Sequence, residues 1–370
     1  MAVGNEVFSG ALAIGSGIAI GVLLFVPFVA LSYRRRGRLT FGRSLLWIAA
    51  VVYFCAIWTY TLFPLPDPDA LVCVGANTDV WQAVRDVQGA RDRGHAFTDP
   101  ATLQLALNVL LFVPLGALVR VLGSRGLPTA IAVGAGVSLF IETTQATGML
   151  WIYDCSYRVF DVDDLVTNTA GAVVGSIVGI VVPQRARGVA RLPDSDEAKP
   201  VTKSRRLIGA LCDVLAAALV SAAISVVVQL WLEYVADDHE AVLDGAFAST
   251  IGAAVPAIMW FVVIAVSGKS VGDLCVELEY RAEHRKGLLS TAFVRVARFV
   301  GGIGMFYALT LLPDPFGTSA WVFAGVAVVA LLVTSNGRGL AGLVSRSVLV
   351  DARGELPPDA SGADDANSGE

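Results

Sequence analysis

Charge is scarce in this chain: Asp, Glu, Lys and Arg make up only 16% of its 370 residues, where soluble domains carry about 25%. Histidine occurs 3 times and cysteine 5 times. His95, His239 and His284 are far apart and no Cys-x-x-Cys spacing occurs, so no metal site is expected. There is no G-x-x-x-x-G-K-[ST] loop and no G-x-G-x-x-G after a strand, which argues against a bound nucleotide. No Ser/His/Asp set stands out. The net charge of −5 and the pI near 5.3 argue against nucleic acid as a partner. No cofactor can be named from these residues.

Apolar residues fill the gap. They make up 55% of the chain and raise the mean hydropathy to +0.67. One globular core cannot hide so much apolar surface, because cores stop growing near roughly 250–300 residues. A membrane-crossing helix needs about 20 apolar residues. Nine runs qualify, near 8–33, 44–64, 102–122, 127–148, 162–182, 207–232, 245–267, 295–313 and 318–335. They are too long for barrel strands of about 10 residues. The first is too long for a signal core and has no basic residue before it. The fold class is therefore all-α: a polytopic membrane helix bundle of about nine spans, five plus four.

Orientation follows from Lys and Arg, which collect in cytoplasmic loops. The first basic cluster is Arg34-Arg35-Arg36-Gly37-Arg38. Placing it inside puts the N-terminus outside. Strict alternation then places 23 of the 27 basic residues in cytoplasmic segments and only Arg85, Arg91, Arg93 and Arg158 outside. Adding or dropping one span would scramble that division. The C-terminus is expected inside. Four lysines against 23 arginines, with abundant Ala, Val and Gly, suggest a GC-rich bacterial genome, hence a bacterial plasma membrane.

Residues 184–206 are polar, charged and proline-containing and read as a cytoplasmic linker. They separate a five-helix domain (1–183) from a four-helix domain (207–350). Residues 351–370 read as a disordered acidic tail. Of the five cysteines, only Cys73 and Cys155 fall in outer loops. They can form a disulfide in an oxidising compartment, or remain two unrelated thiols.

Charged residues inside spans are functional candidates by default. Glu142 lies about two turns from the outer end of span four and shares a face with Ala135, Ser138 and Gln145. On span five Asp161, Asp164, Asn168, Gly171, Gly175 and Gly179 share a face, and its glycines permit close helix approach. The simplest arrangement joins these two faces. Span three adds Gln104 and Asn108, with Asn108 roughly 9 Å below the helix start. Asn108, Glu142, Gln145, Asp161, Asp164 and Asn168 thus all fall in the outer half of three helices, with Asp163 and Arg158 flanking them at the outer surface. Arg158 is expected to face Glu142. The cluster reads either as a lock between helices or as an outward-opening ligand site.

These residues resemble the VanZ-like family. Asn108-Val109-Leu110-Leu111-Phe112-Val113-Pro114-Leu115-Gly116 fits N-x-x-L-F-x-P-x-G. Glu142-Thr143-Thr144-Gln145 fits E-x-x-Q. Arg158 to Asp164 fits R-x-x-D-x-x-D, and Asn168 with Gly171 fits N-x-x-G. The likeness covers about 40–182. The family is named for a teicoplanin-resistance protein, so it implies a cell-envelope role without naming a reaction. The partners implied are membrane lipid, a cell-wall precursor or a glycopeptide.

In the second half, Arg206, Ala210 and Asp213 fit R-x-x-A-x-x-x-D of the RDD family only loosely. Gly268-Lys269-Ser270-Val271-Gly272-Asp273 and Arg338 to Val350 extend the likeness across about 203–352. Asp273 stands where Lys is usual, and Leu340-Ala341-Gly342 lacks a signature Asp. Arg206 and Asp213 share a face and are expected to pair; Arg206 also reads as a cytoplasmic anchor. His284-Arg285-Lys286 and the run after it read as a helix end or an interfacial helix.

Three functions remain open. The first is an outer site for a cell-wall precursor, lipid headgroup or antimicrobial. The second is a membrane enzyme using Glu142 with Asp161 and Asp164. The third is a cation transporter through the RDD-like half.

Overall fold

A backbone in hydrocarbon must satisfy its own N–H and C=O groups, and helices do this within one segment. The computed structural model describes residues 2–62, 71–94, 97–188, 191–282, 288–312 and 318–354, and helices dominate it. The chain is a multi-pass, all-α membrane protein. It divides into two compact units: Met1–Gly21 with Thr40–Ala190, and Val22–Leu39 with Arg191–Glu370.

The first unit contains the start of α1 (Ala2–Arg36), then α2 (Phe41–Leu62), α3 (Gln82–Asp92), α4 (Pro100–Val121), α5 (Leu127–Ala146), a short α6 (Gly148–Trp151) and α7 (Val162–Val178). Two minimal strands, β1 (Ala76–Asn77) and β2 (Phe160–Asp161), pair in parallel. Asp99 caps α4 by accepting from the Ala101 N–H, with Pro100 at the first helical position, where its missing N–H costs nothing. Ile57, Phe112 and Ile141 form an apolar core between α2, α4 and α5.

The glycine face of α7 packs on α4, not on α5 as the sequence suggested. A β-carbon at Gly171 or Gly175 would collide with the backbone carbonyl of Val109 or Val113, and one at Gly116 would meet Ala172. Both helices contribute a small residue there, which lets their backbones touch. The contact with α5 is made by Gly134 against Ala172 and by polar groups one turn away.

The second unit is built from the end of α1, α8 (Lys203–Trp231), α9 (His239–Asp244), α10 (Ala246–Ser267), α11 (Val271–Cys275), α12 (Leu288–Val300), α13 (Ile303–Thr310), α14 (Ser319–Val333) and α15 (Gly339–Ser345). Strands β3 (Leu278–Ala282) and β4 (Ser347–Asp351) pair antiparallel, Leu278 opposite Asp351 and Ala282 opposite Ser347. Asp351, assigned from sequence to the tail, ends β4. It is buried between Arg205 and Arg353. The remainder of that tail, 355–370, and His284 to Lys286 lie outside the described residues.

Helices occupy all nine apolar runs, but they are not nine uniform spans. Six among the described residues are long and apolar enough to cross alone: α2, α4, α5, α7 extended to Val181, α8 extended to Ala236, and α10. The eighth run is a pair, α12 and α13, bent by 50° at Gly301-Gly302. The ninth, α14, has only 15 residues.

The expected Arg206–Asp213 pair is replaced by a wider network. Arg206 Nη1 donates to Asp273 Oδ1 at 2.8 Å, and Arg298 also binds Asp273. Asp213 instead accepts from Trp260 Nε1 at 2.8 Å, Ser270 Oγ at 2.6 Å and the Gly272 N–H at 2.7 Å. These neutral donors satisfy Asp213 locally and leave Arg206 to the fully buried Asp273.

Candidate functional site

One end of the first unit gathers the last turns of α2 and α5 with the first turns of α4 and α7. A cavity of about 1080 Å³ lies there. Its polar lining includes Asn108, Glu142, Gln145, Arg158, Asp161, Asp164 and Asn168, every residue of the expected cluster. Leu103, Leu107, Leu111, Ile141, Val159 and Ala56 form an apolar wall beside them, with Tyr60.

Each polar side chain is held by a nameable contact. Asp161 caps α7 by accepting from the Asp163 N–H at 2.9 Å. Its own N–H donates to Glu142 Oε2 at 3.0 Å. Two acids thus sit at the positive end of one helix, where the backbone dipole favours negative charge. Asn108 Nδ2 donates to Asp164 Oδ1 at 2.5 Å, joining α4 to α7. Asn168 Nδ2 donates to Ser138 Oγ at 3.0 Å, joining α7 to α5. Gln145 Nε2 donates to the Thr61 carbonyl at 2.6 Å.

Arg158 does not pair with Glu142: no ion pair within 4 Å joins them among the described residues. Its Nη1 donates to the Thr61 carbonyl at 3.0 Å, the negative end of α2, which suits a cation. Glu142, only 2% exposed, takes a backbone amide in place of the arginine. The two residues still line one cavity.

The Cys73–Cys155 disulfide is present, with Cα atoms 5.6 Å apart. It ties the segment before α3 to the segment before α7. The Val74 N–H donates to the Ser156 carbonyl at 2.9 Å, and β1 pairs with β2. Asn77 Nδ2 then reaches both carboxylate oxygens of Asp161, at 3.2 and 3.3 Å. The Ala83 N–H donates to Asp163 Oδ2 at 2.8 Å. Sequence reading missed Asn77, because nothing in its local spacing marks it; the strand pairing brings it to Asp161. Tyr157, in the loop before β2, has its phenol pushed above the ordinary value by burial.

No group of three or more metal-ligating side chains forms among the described residues. No curated protein and no solved structure matches the chain. Residues 50–183, from within α2 to just past α7, match the VanZ/LLP1 family model, and the membrane unit that carries the cavity is therefore VanZ-like.

Proposed function

We propose that this chain binds an amphiphilic molecule of the bacterial cell envelope in the cavity of its first unit. Candidate ligands are a lipid head group, a lipid-linked cell-wall precursor or a glycopeptide-type antimicrobial. The observation that carries the reading is one cavity lined both by ionisable and amide side chains and by apolar ones. Small-molecule sites combine apolar lining with a few placed polar groups in this way. The distribution of basic residues supports an opening toward the outside of the plasma membrane. A role in resistance to such antimicrobials is the form this activity takes if the ligand is one of them.

A membrane-embedded acid–base enzyme is the second reading. It is favoured by Glu142 and Asp164, whose Oε1 and Oδ2 atoms take no hydrogen bond among the described residues. The RDD-like reading of the second unit, with cation transport, is a separate proposal. The satisfied contacts of Asp213 and Asp273 speak for a structural lock there instead.

The test is expression of wild type, Glu142→Gln and Leu107→Trp in a susceptible host challenged with a lipidated glycopeptide. Glu142→Gln keeps the side-chain shape and Leu107→Trp fills the apolar wall. Both are expected to lose protection at near wild-type membrane abundance. A change that lowers abundance as much as protection identifies a helix lock and removes the binding reading.

A further inference from the structure

The cavity holds carboxylate oxygens that no described protein group engages. Three of its side-chain amides each commit one N–H inside the protein, Asn108 to Asp164, Asn168 to Ser138 and Gln145 to Thr61. Arg158 is engaged with the Thr61 carbonyl. Glu142 Oε1 and Asp164 Oδ2 take no hydrogen bond among the described residues. Asn168, 6% exposed and lining the cavity, has a buried Oδ1 without a partner. A buried acceptor in the state of Asn168 Oδ1 is costly unless a donor arrives. Charge is lopsided, with Glu142, Asp161 and Asp164 against the single guanidinium of Arg158 among the cavity's described residues.

We propose that the head group bound here is a protonated primary amine, a reading that rests on the cavity being an amphiphile site. An ammonium has three N–H donors and no acceptor, the complement of what Glu142, Asp164 and Asn168 leave open. It also brings the missing positive charge into a poorly solvated site, where an uncompensated carboxylate is expensive. A sugar hydroxyl supplies a donor but no charge. A quaternary ammonium supplies charge but no N–H. A bare phosphate meets three acids. A zwitterionic head fits if its anion stays near Arg158, which is exposed at the rim.

The experiment uses the full-length protein in nanodiscs of phosphatidylcholine and phosphatidylglycerol, which contain no primary amine. Octylamine, octyltrimethylammonium and octyl glucoside are titrated calorimetrically at pH 7.5 against empty discs. Octylamine is expected to bind at least about tenfold more tightly than the other two. Glu142→Gln and Asp164→Asn should each weaken it by about tenfold, about 1.4 kcal/mol. Displacement of octylamine by phosphatidylethanolamine built into the disc supports the proposal with a membrane lipid as source. Displacement by a soluble amino-bearing amphiphile alone supports it with an external one. Equal binding of octyltrimethylammonium overturns the ammonium. So does a preference for octyl glucoside that Leu107→Trp abolishes, which leaves the amphiphile site standing. Binding of none of the three to wild type above empty discs overturns both.

Discussion

Arg205 and Arg206 are neighbours in sequence but serve different carboxylates. Arg205 Nη1 donates to Asp351 Oδ2 at 2.7 Å and its other nitrogens to the carbonyls of Val276 and Glu277, each at 2.8 Å. Burial by itself would raise the Asp351 carboxyl, but hydrogen bonds from Arg353, the Lys199 N–H and Arg205 outweigh it and hold it at about 2. A carboxyl lower in the folded than in the unfolded chain stabilises fully above its unfolded value, and that contribution disappears as pH falls through the folded one. It is therefore present above about pH 4 and lost toward pH 2, and amounts to about 2 kcal/mol. Hydrogen exchange in β3 and β4, corrected for intrinsic rates, should stay unchanged from pH 7 to pH 4 and rise below that; opening already at pH 5 would contradict the assignment. Asp351→Asn should cost about as much at pH 7. Such partners explain what sequence spacing missed. Arg206 and Asp213 do share a helix face, but the carboxylate that Arg206 meets lies 67 residues away. Glu142 and Arg158 likewise share a cavity, while each contact is decided by the nearest helix end.

At the scale of elements, glycine governs how α4 and α7 meet. Gly175→Ala should force the two backbones apart and cost about 2 kcal/mol or more, within the range of overpacked cores. Gly136→Ala on α5, where a β-carbon meets nothing within 4 Å, should leave stability unchanged or slightly higher. Thermal unfolding in one detergent compares them, and equal losses would refute the contact. The glycine strip was legible as a close-approach surface. Its partner was not, because such a strip states how near a neighbour comes and not which neighbour it is. Strand β4 was not legible, because its buried face carries Ser347 and Asp351 beside Leu349 while apolar Val348 is exposed, and two-residue β1 and β2 are too short to leave a pattern. The disulfide adds a second test. Cys73 and Cys155 should resist thiol labelling in intact cells until reduced. After reduction, protease should cut residues 78–94 faster, since one anchor of that segment has been released. Full labelling without reductant would exclude the bond.

For the whole molecule, hydropathy located nine helical runs because hydrocarbon thickness sets their length. It did not show that α12 and α13 bend, since Gly301-Gly302 is compatible with either a straight or a broken helix. The side on which the termini lie is a prediction from basic residues. Reporter fusions at Val3 and Gly354 should report opposite sides, the first outside; a shared side would remove the nine-crossing scheme. The disulfide bears on the same question. It joins residues 82 apart, and two crossing helices, α4 and α5, lie between them, so an even number of crossings returns the chain to the side it left. That bond also orders events in time. Cys73 leaves the ribosome well before Cys155, and the pair can close only when both intervening helices have been threaded through the bilayer. Asn77 is secured against Asp161 by the same closure. A formed bond thus records, molecule by molecule, that α4 and α5 have been threaded.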